Sequence, residues 1–237
     1  MSFIKNPGRF AGLLYLLFSL PGFFAMVYVP SKLMVQGNAA ATANNILASE
    51  TLFRLGIVGQ LICQTGFIFV ALALYDLFKG TNRRQAVLYV ILAVVAIPIA
   101  FLNELNSITA LVLVRGADFI SIFEKPQREA LAMLFLRLHE EGIGAVELCW
   151  GLGIFILGLL VYRSRFLPRL LGVWLVLDGF AYVIMSLTSV LSPQYYGKVF
   201  TYCQPAIFGE VAFMLWLVIR GAQPPALDAA TSSSAVG

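Results

Sequence analysis

Six long apolar runs alternate with short polar stretches along the 237-residue chain. They fall at residues 9–29, 52–78, 86–114, 143–162, 170–191 and 199–220. A hydrocarbon core of ~30 Å takes ~20 helical residues to cross, and each run has that length. The pattern predicts an all-α integral membrane bundle of six transmembrane helices over 1–221. A proline-, serine- and alanine-rich tail over 222–237 is expected to be disordered and cytoplasmic. Pro21, Pro98 and Pro205 fall inside predicted helices, where each removes a backbone hydrogen bond and offers a bend.

The fourth run is preceded by an amphipathic stretch, and 126–165 as a whole is too long for one plain span. Pro126 suits a helix start, with Gln127, Arg128 and Glu129 in the first turn. The section through Glu141 is expected to lie at the membrane interface, with Gly142 and Gly144 forming a joint before the span. Between the first two runs, 31–49 reads as a polar connection and 44–54 as helical. Glu50 and Arg54 are four apart there, in the order that favours an exposed ion pair.

Composition sharpens the class. The chain is 60% hydrophobic and 12% charged, against about 45–50% and about 25% in a soluble domain. The bilayer is therefore its first partner. The net charge of +4 comes from short basic clusters beside apolar runs, with no extended basic surface for nucleic acid. Six spans put both termini on one side, together with Lys5, Arg9, Lys79, Arg83, Arg84, Arg163, Arg165, Arg169 and Arg220. The positive-inside rule then predicts an inner-membrane protein with cytoplasmic termini. Lys5 and Arg9 before the first run resemble the start of a signal peptide. The run is longer than an ordinary signal core, so a retained first helix is expected. Cys63, Cys149 and Cys203 lie in apolar segments without C-x-x-C spacing, which suggests neither a disulfide framework nor a zinc knuckle.

Four sequence stretches resemble a known family. They are the opening N-P-G-R-F-A-G-L-L-Y-L-L from Asn6, and N-N-I-L-A-S-E leading into L-F-R-L-G at 44–56. The others are F-L-P-R-L-L-G-V from Phe166, and Gly209-Glu210 before Leu215-Trp216-Leu217. Together they are similar to the bacterial multi-pass membrane proteins of domain of unknown function 4386, over nearly the whole chain to about Gly221. The resemblance implies architecture and carries no activity or catalytic residue with it.

The chemistry in the spans is acidic and amide. A charge at mid-bilayer costs roughly 2.5–3.5 kcal/mol on insertion scales, yet Glu104, Glu147, Asp178 and Glu210 all fall within predicted spans. Counting from helix ends puts Glu104 and Glu147 in the outer half and Glu210 near the middle. Asp178 lies nearer the cytoplasmic side and is set apart. Glu140 and Glu147 are seven apart and share a helix face, with His139 beside them. An outward-opening pocket walled by Gln60, Gln64, Asn103, Glu104, Asn106, His139, Glu140, Glu147 and Glu210 is the resulting expectation. The competing one is that these groups are hydrogen-bonded glue between helices, with Arg54 or Arg137 pairing one of the acids.

Three function classes follow. The favoured one is binding or transport of a small ligand or a proton at buried carboxylates. The second is an intramembrane metal-dependent enzyme using His139 and carboxylates. Against it, His139-Glu140-Glu141 stops short of H-E-x-x-H, and no G-x-S-x-G elbow occurs. Catalysis is thus disfavoured and no metal is assigned. No cofactor is expected either, since one histidine does not supply paired haem ligands. The third is a structural or signalling partner acting through small-residue faces such as Gly151-Leu152-Gly153 and Gly158, which internal packing explains equally well.

Overall fold

In a computed structural model, which describes residues 6–224, the chain is all helical, with six helices long and apolar enough to cross a membrane. The first span, Pro7–Leu33, is composite. Helix α1 (Pro7–Phe23) passes through a π-helical turn, Phe24–Tyr28, into α2 (Val29–Leu33). A short α3 (Ala39–Ala48) follows, then α4 (Glu50–Phe78), α5 (Arg83–Arg115), α6 (Lys125–Ser164), α7 (Arg169–Leu191) and α8 (Tyr196–Ile219).

Local sequence fixes the ends. Asn6, Asn38 and Asn82 cap α1, α3 and α5, each side chain accepting from a backbone N–H three residues on. Glu124 and Gln127 form a reciprocal capping box on α6, with Pro126 in its first turn as expected. At the C-terminus of α5 the chain turns left-handed at Gly116, φ 73°, a conformation that costs glycine nothing.

The spanning helices close into a ring. Contacts run α1 to α4, α4 to α5, α5 to α6, α6 to α7, α7 to α8, and α8 back to α1. The α6–α7 seam is made by glycines: a methyl on Gly179 would lie 2.6 Å from Phe155 N, and one on Gly158 2.7 Å from Val176 N. Gly151 and Gly158 therefore serve contacts within the chain. Apolar side chains cover the outside, Leu102 at 66% and Val190 at 70% exposure among them, and face lipid.

Two apolar cores occupy opposite ends. One gathers Ala11, Leu77, Phe78, Ala86, Leu160 and Leu217; the other gathers Leu33, Ile46, Phe53, Leu111, Ile120 and Leu136. The first and last described stretches meet at the first of these cores. Gly8 N–H donates to the Ala222 carbonyl at 3.0 Å, and Ala222 N–H donates to Asn6 Oδ1 at 3.0 Å. Ala222, assigned to the tail from sequence, is thus built into the bundle. The tail beyond Pro224, like Lys5, lies outside the described residues.

Two expectations need correction. Helix α6 is continuous for 40 residues, without a joint. Gly142 and Gly144 stay helical and make room for neighbours: a methyl there would meet the Asn103 amide and, at 2.6 Å, Ser189 Oγ respectively. At ~1.5 Å per residue α6 is about 60 Å long, twice the hydrocarbon core, so a large part of it stands clear of the core. The 31–49 connection also contains a helix, α3, which starts at Ala39 and breaks at Ser49, φ −130° and ψ 43°. The Glu50–Arg54 pair forms at 2.7 Å just beyond that break.

Candidate functional site

Between the two apolar cores lies a polar layer. On α4 it falls after Phe53 and before Val70, at Gln60 and Gln64. On α5 it falls after Ile97 and before Ala110, at Asn103, Glu104 and Ser107. On α6 it falls after Leu136 and before Ile154, at His139 and Glu147. Of these, all but His139 are buried, and that residue is half-buried.

Asn103 ties α5 to α6. Its amide donates to the His139 carbonyl at 2.9 Å, and its side-chain oxygen accepts from the Asn106 amide at 3.0 Å. The His139 ring returns to α5: Nδ1 lies 3.3 Å from the Asn103 carbonyl and 3.2 Å from Ser107 Oγ. A carbonyl only accepts, so this contact puts the ring proton on Nδ1. Nε2 then faces Glu104 Oε1, 3.7 Å away. Glu147 Oε1 accepts from the Tyr196 hydroxyl at 3.1 Å, linking α6 to α8, while its Oε2 is buried without a partner among the described residues. Glu210 on α8 accepts from the Tyr15 hydroxyl on α1.

The single pocket expected from sequence is two cavities. The central one, about 320 Å³, takes Tyr15 and Gly22 from α1, Gln60 and Gln64 from α4, and Tyr89 from α5. Trp150 on α6, Tyr182 on α7 and Glu210 on α8 complete a lining drawn from all six spans. The second, about 200 Å³, is lined by Glu104, Ser107, His139, Glu140 and Gln60, with Met26 and Pro30 from the first span. Gln60 and Met26 line both cavities and form the wall between them, and Met26 sits in the π turn. Such turns occur often at functional sites.

Glu147, Asn103 and Asn106 line neither cavity. Glu140 is exposed at the rim of the second, 4.0 Å from Arg137. It parts from Glu147 because the two, though in register on α6, lie at levels with different neighbours. Neither arginine considered from sequence reaches a buried acid, since Arg54 and Arg137 pair with Glu50 and Glu140. Asp178, set apart from sequence, is 0% exposed on α7. Its carboxyl faces the Glu210 backbone N–H, but neither oxygen reaches a hydrogen-bond donor among the described residues.

Sequence reasoning missed Tyr15, Tyr196, Tyr182 and Ser107. Their phenol and hydroxyl groups are common in membrane helices; contact with an acid or the histidine gives Tyr15, Tyr196 and Ser107 weight, and a place in the cavity wall does so for Tyr182. Among the described residues no group of three or more His, Cys, Asp or Glu is arranged as a metal set. Among the described residues one carboxylate, that of Glu104, lies within 4 Å of the His139 ring nitrogens, where the metal-enzyme reading requires two.

A family described as "Domain of unknown function (DUF4386)" matches residues 10–221. The chain is a DUF4386 protein. An uncharacterized protein of Archaeoglobus fulgidus is 28% identical over 167 residues, covering 70% of this chain and 83% of its own length. No solved structure matches. This DUF4386 chain is thus a six-helix integral membrane protein, and its two cavities and buried acids are the ground for any functional reading.

Proposed function

We propose that this DUF4386 protein binds a small ligand in its central cavity and moves it, or a proton linked to it, across the membrane. One observation carries the reading: every span contributes to one cavity, whose polar side holds Glu210, Gln60 and Gln64. Ligand sites have this form, roughly 300–1,000 Å³, apolar walls and a few convergent polar groups. The cavity sits where a relative shift of any two helices changes its shape. The second cavity, behind Gln60 and Met26, would serve as its vestibule. Away from the cavity walls, Glu147 Oε2 and both Asp178 oxygens are buried without a hydrogen bond among the described residues, an arrangement held at a cost. The hydrogen bonds Tyr15–Glu210 and Tyr196–Glu147 also fasten helices together, so part of the glue reading is true of the same groups.

The test is a compound screen by thermal unfolding of the protein in nanodiscs, alongside Gly153→Leu, which fills the central cavity. Stabilisation of the wild type by compounds that leave the filled variant unmoved is expected. Equal shifts in both proteins would sink the reading.

We also propose an inner-membrane location with cytoplasmic termini, because the end where Gly8 and Ala222 meet carries Arg9, Lys79, Arg83, Arg84, Arg163 and Arg169. Single cysteines at Arg83 and Asp118, in a background with Cys63, Cys149 and Cys203 replaced, decide it. Only the Asp118 position should react with an impermeant maleimide on intact cells, and the reverse labelling would overturn the orientation.

A further inference from the structure

We infer that the central cavity selects lipophilic organic cations, small amines or quaternary ammonium compounds with an apolar body. This rests on the binding reading above and adds the chemical class. The wall carries six aromatic rings: Tyr15, Phe23, Phe67, Tyr89, Trp150 and Tyr182. Glu210 is the acid that lines it, and among the described residues no Lys, Arg or His does.

Each alternative ligand class meets a physical objection. An anion would face the Glu210 carboxyl and the negative faces of the rings with no counter-charge. A neutral molecule would gain apolar contact and amide hydrogen bonds but would leave the negative ring faces and the acid without a positive partner. A cation finds both attractions that suit it: ring faces, worth most when water is excluded, and a carboxylate. The geometry holds that carboxylate in place. The Tyr15 ring packs edge-on against Phe67, centroids 5.3 Å apart and planes at 84°, and its hydroxyl donates to Glu210. Gln60 and Gln64, 5% and 6% exposed, supply amides beside the same space. The 320 Å³ volume suits a compact body.

The experiment uses an isosteric pair, benzyltrimethylammonium and neopentylbenzene, which differ by a charged nitrogen in place of a quaternary carbon. Dissociation constants are measured by thermal shift and tryptophan fluorescence on the full chain in nanodiscs, with Glu210→Gln and Gly153→Leu beside the wild type. The expected result is that the wild type binds the cation at least about tenfold tighter than its isostere. Glu210→Gln should lose that preference while still binding neopentylbenzene, which shows its cavity intact. If both probes bind the wild type equally and both are lost in Gly153→Leu, the cation assignment falls and the binding reading stands. If neither binds up to millimolar concentration, both fall. The comparison within the wild type keeps the inference falsifiable even where a variant does not fold.

Discussion

Gly151 and Gly153 sit two residues apart on α6 and should respond to the same change with opposite signs. A methyl added at Gly151 lies 2.8 Å from the Gly179 carbonyl oxygen and 2.9 Å from both Tyr182 Cβ and Val183 N. Two of those atoms are backbone, so α6 and α7 must part by roughly 0.5–1 Å to restore ordinary contact. Overpacking of this kind costs about 1–3 kcal/mol. A gap of that size also forfeits a quarter to a half of each ~0.15 kcal/mol atom contact, or ~1 kcal/mol over roughly twenty contacts. Alanine offsets up to ~1 kcal/mol through its better helix propensity. The expected net loss for Gly151→Ala is therefore about 1–3 kcal/mol.

At Gly153 the nearest atoms to the added methyl are Leu92 Cβ at 3.8 Å and the Tyr89 ring at 3.9 Å, which is ordinary contact. Gly153→Ala should accordingly gain up to ~1 kcal/mol. The assay is thermal unfolding of both variants in one detergent. At about 2–4 °C per kcal/mol for a chain of this size, Gly151→Ala should melt several degrees below the wild type and Gly153→Ala slightly above it. Equal melting temperatures for the two variants would refute the packing argument, because propensity alone treats them alike.

Other outcomes follow from individual contacts. Tyr196→Phe removes the one hydroxyl bonded to Glu147 and should destabilise by about 1–3 kcal/mol, since it leaves a buried acceptor bare; an unchanged unfolding midpoint would show that the bond is not made. Asp178→Asn removes an ionisable carboxyl that makes no hydrogen bond among the described residues. It should leave stability unchanged or raise it by about 1 kcal/mol, the sign expected of a group kept for function; a loss above ~2 kcal/mol would mean a donor is present. Asn38→Ala removes the α3 cap, whose oxygen accepts from Ala41 N–H at 2.9 Å. A loss of about 1 kcal/mol is expected, and hydrogen exchange should rise first in 39–48.

Much was legible in the sequence because its cause is one-dimensional. A span is a run of apolar residues matched to bilayer thickness, so six of them could be counted before any contact was known. Helix starts are local too: Pro126 marked that of α6, whereas the equally local Asn6 and Asn82 caps went unread. The concentration of amides and acids near the middle of the spans also appeared as polar interruptions at Gln60, Asn103, Glu104 and Glu147. What sequence could not decide was which of those groups share a space. That depends on how the helices rotate against one another, which glycine contacts such as Gly158–Val176 and Gly179–Phe155 set across the seam. Rotation sent Glu210 to the central cavity with Gln64, and Glu104 to the second cavity with His139. It turned Asn103 into a clamp and left Asp178 sealed without a donor among the described residues. It likewise gave Gly142 its role: from sequence a glycine before a span reads as a joint, but the Asn103 amide occupies the room its missing side chain leaves, and the helix runs straight through.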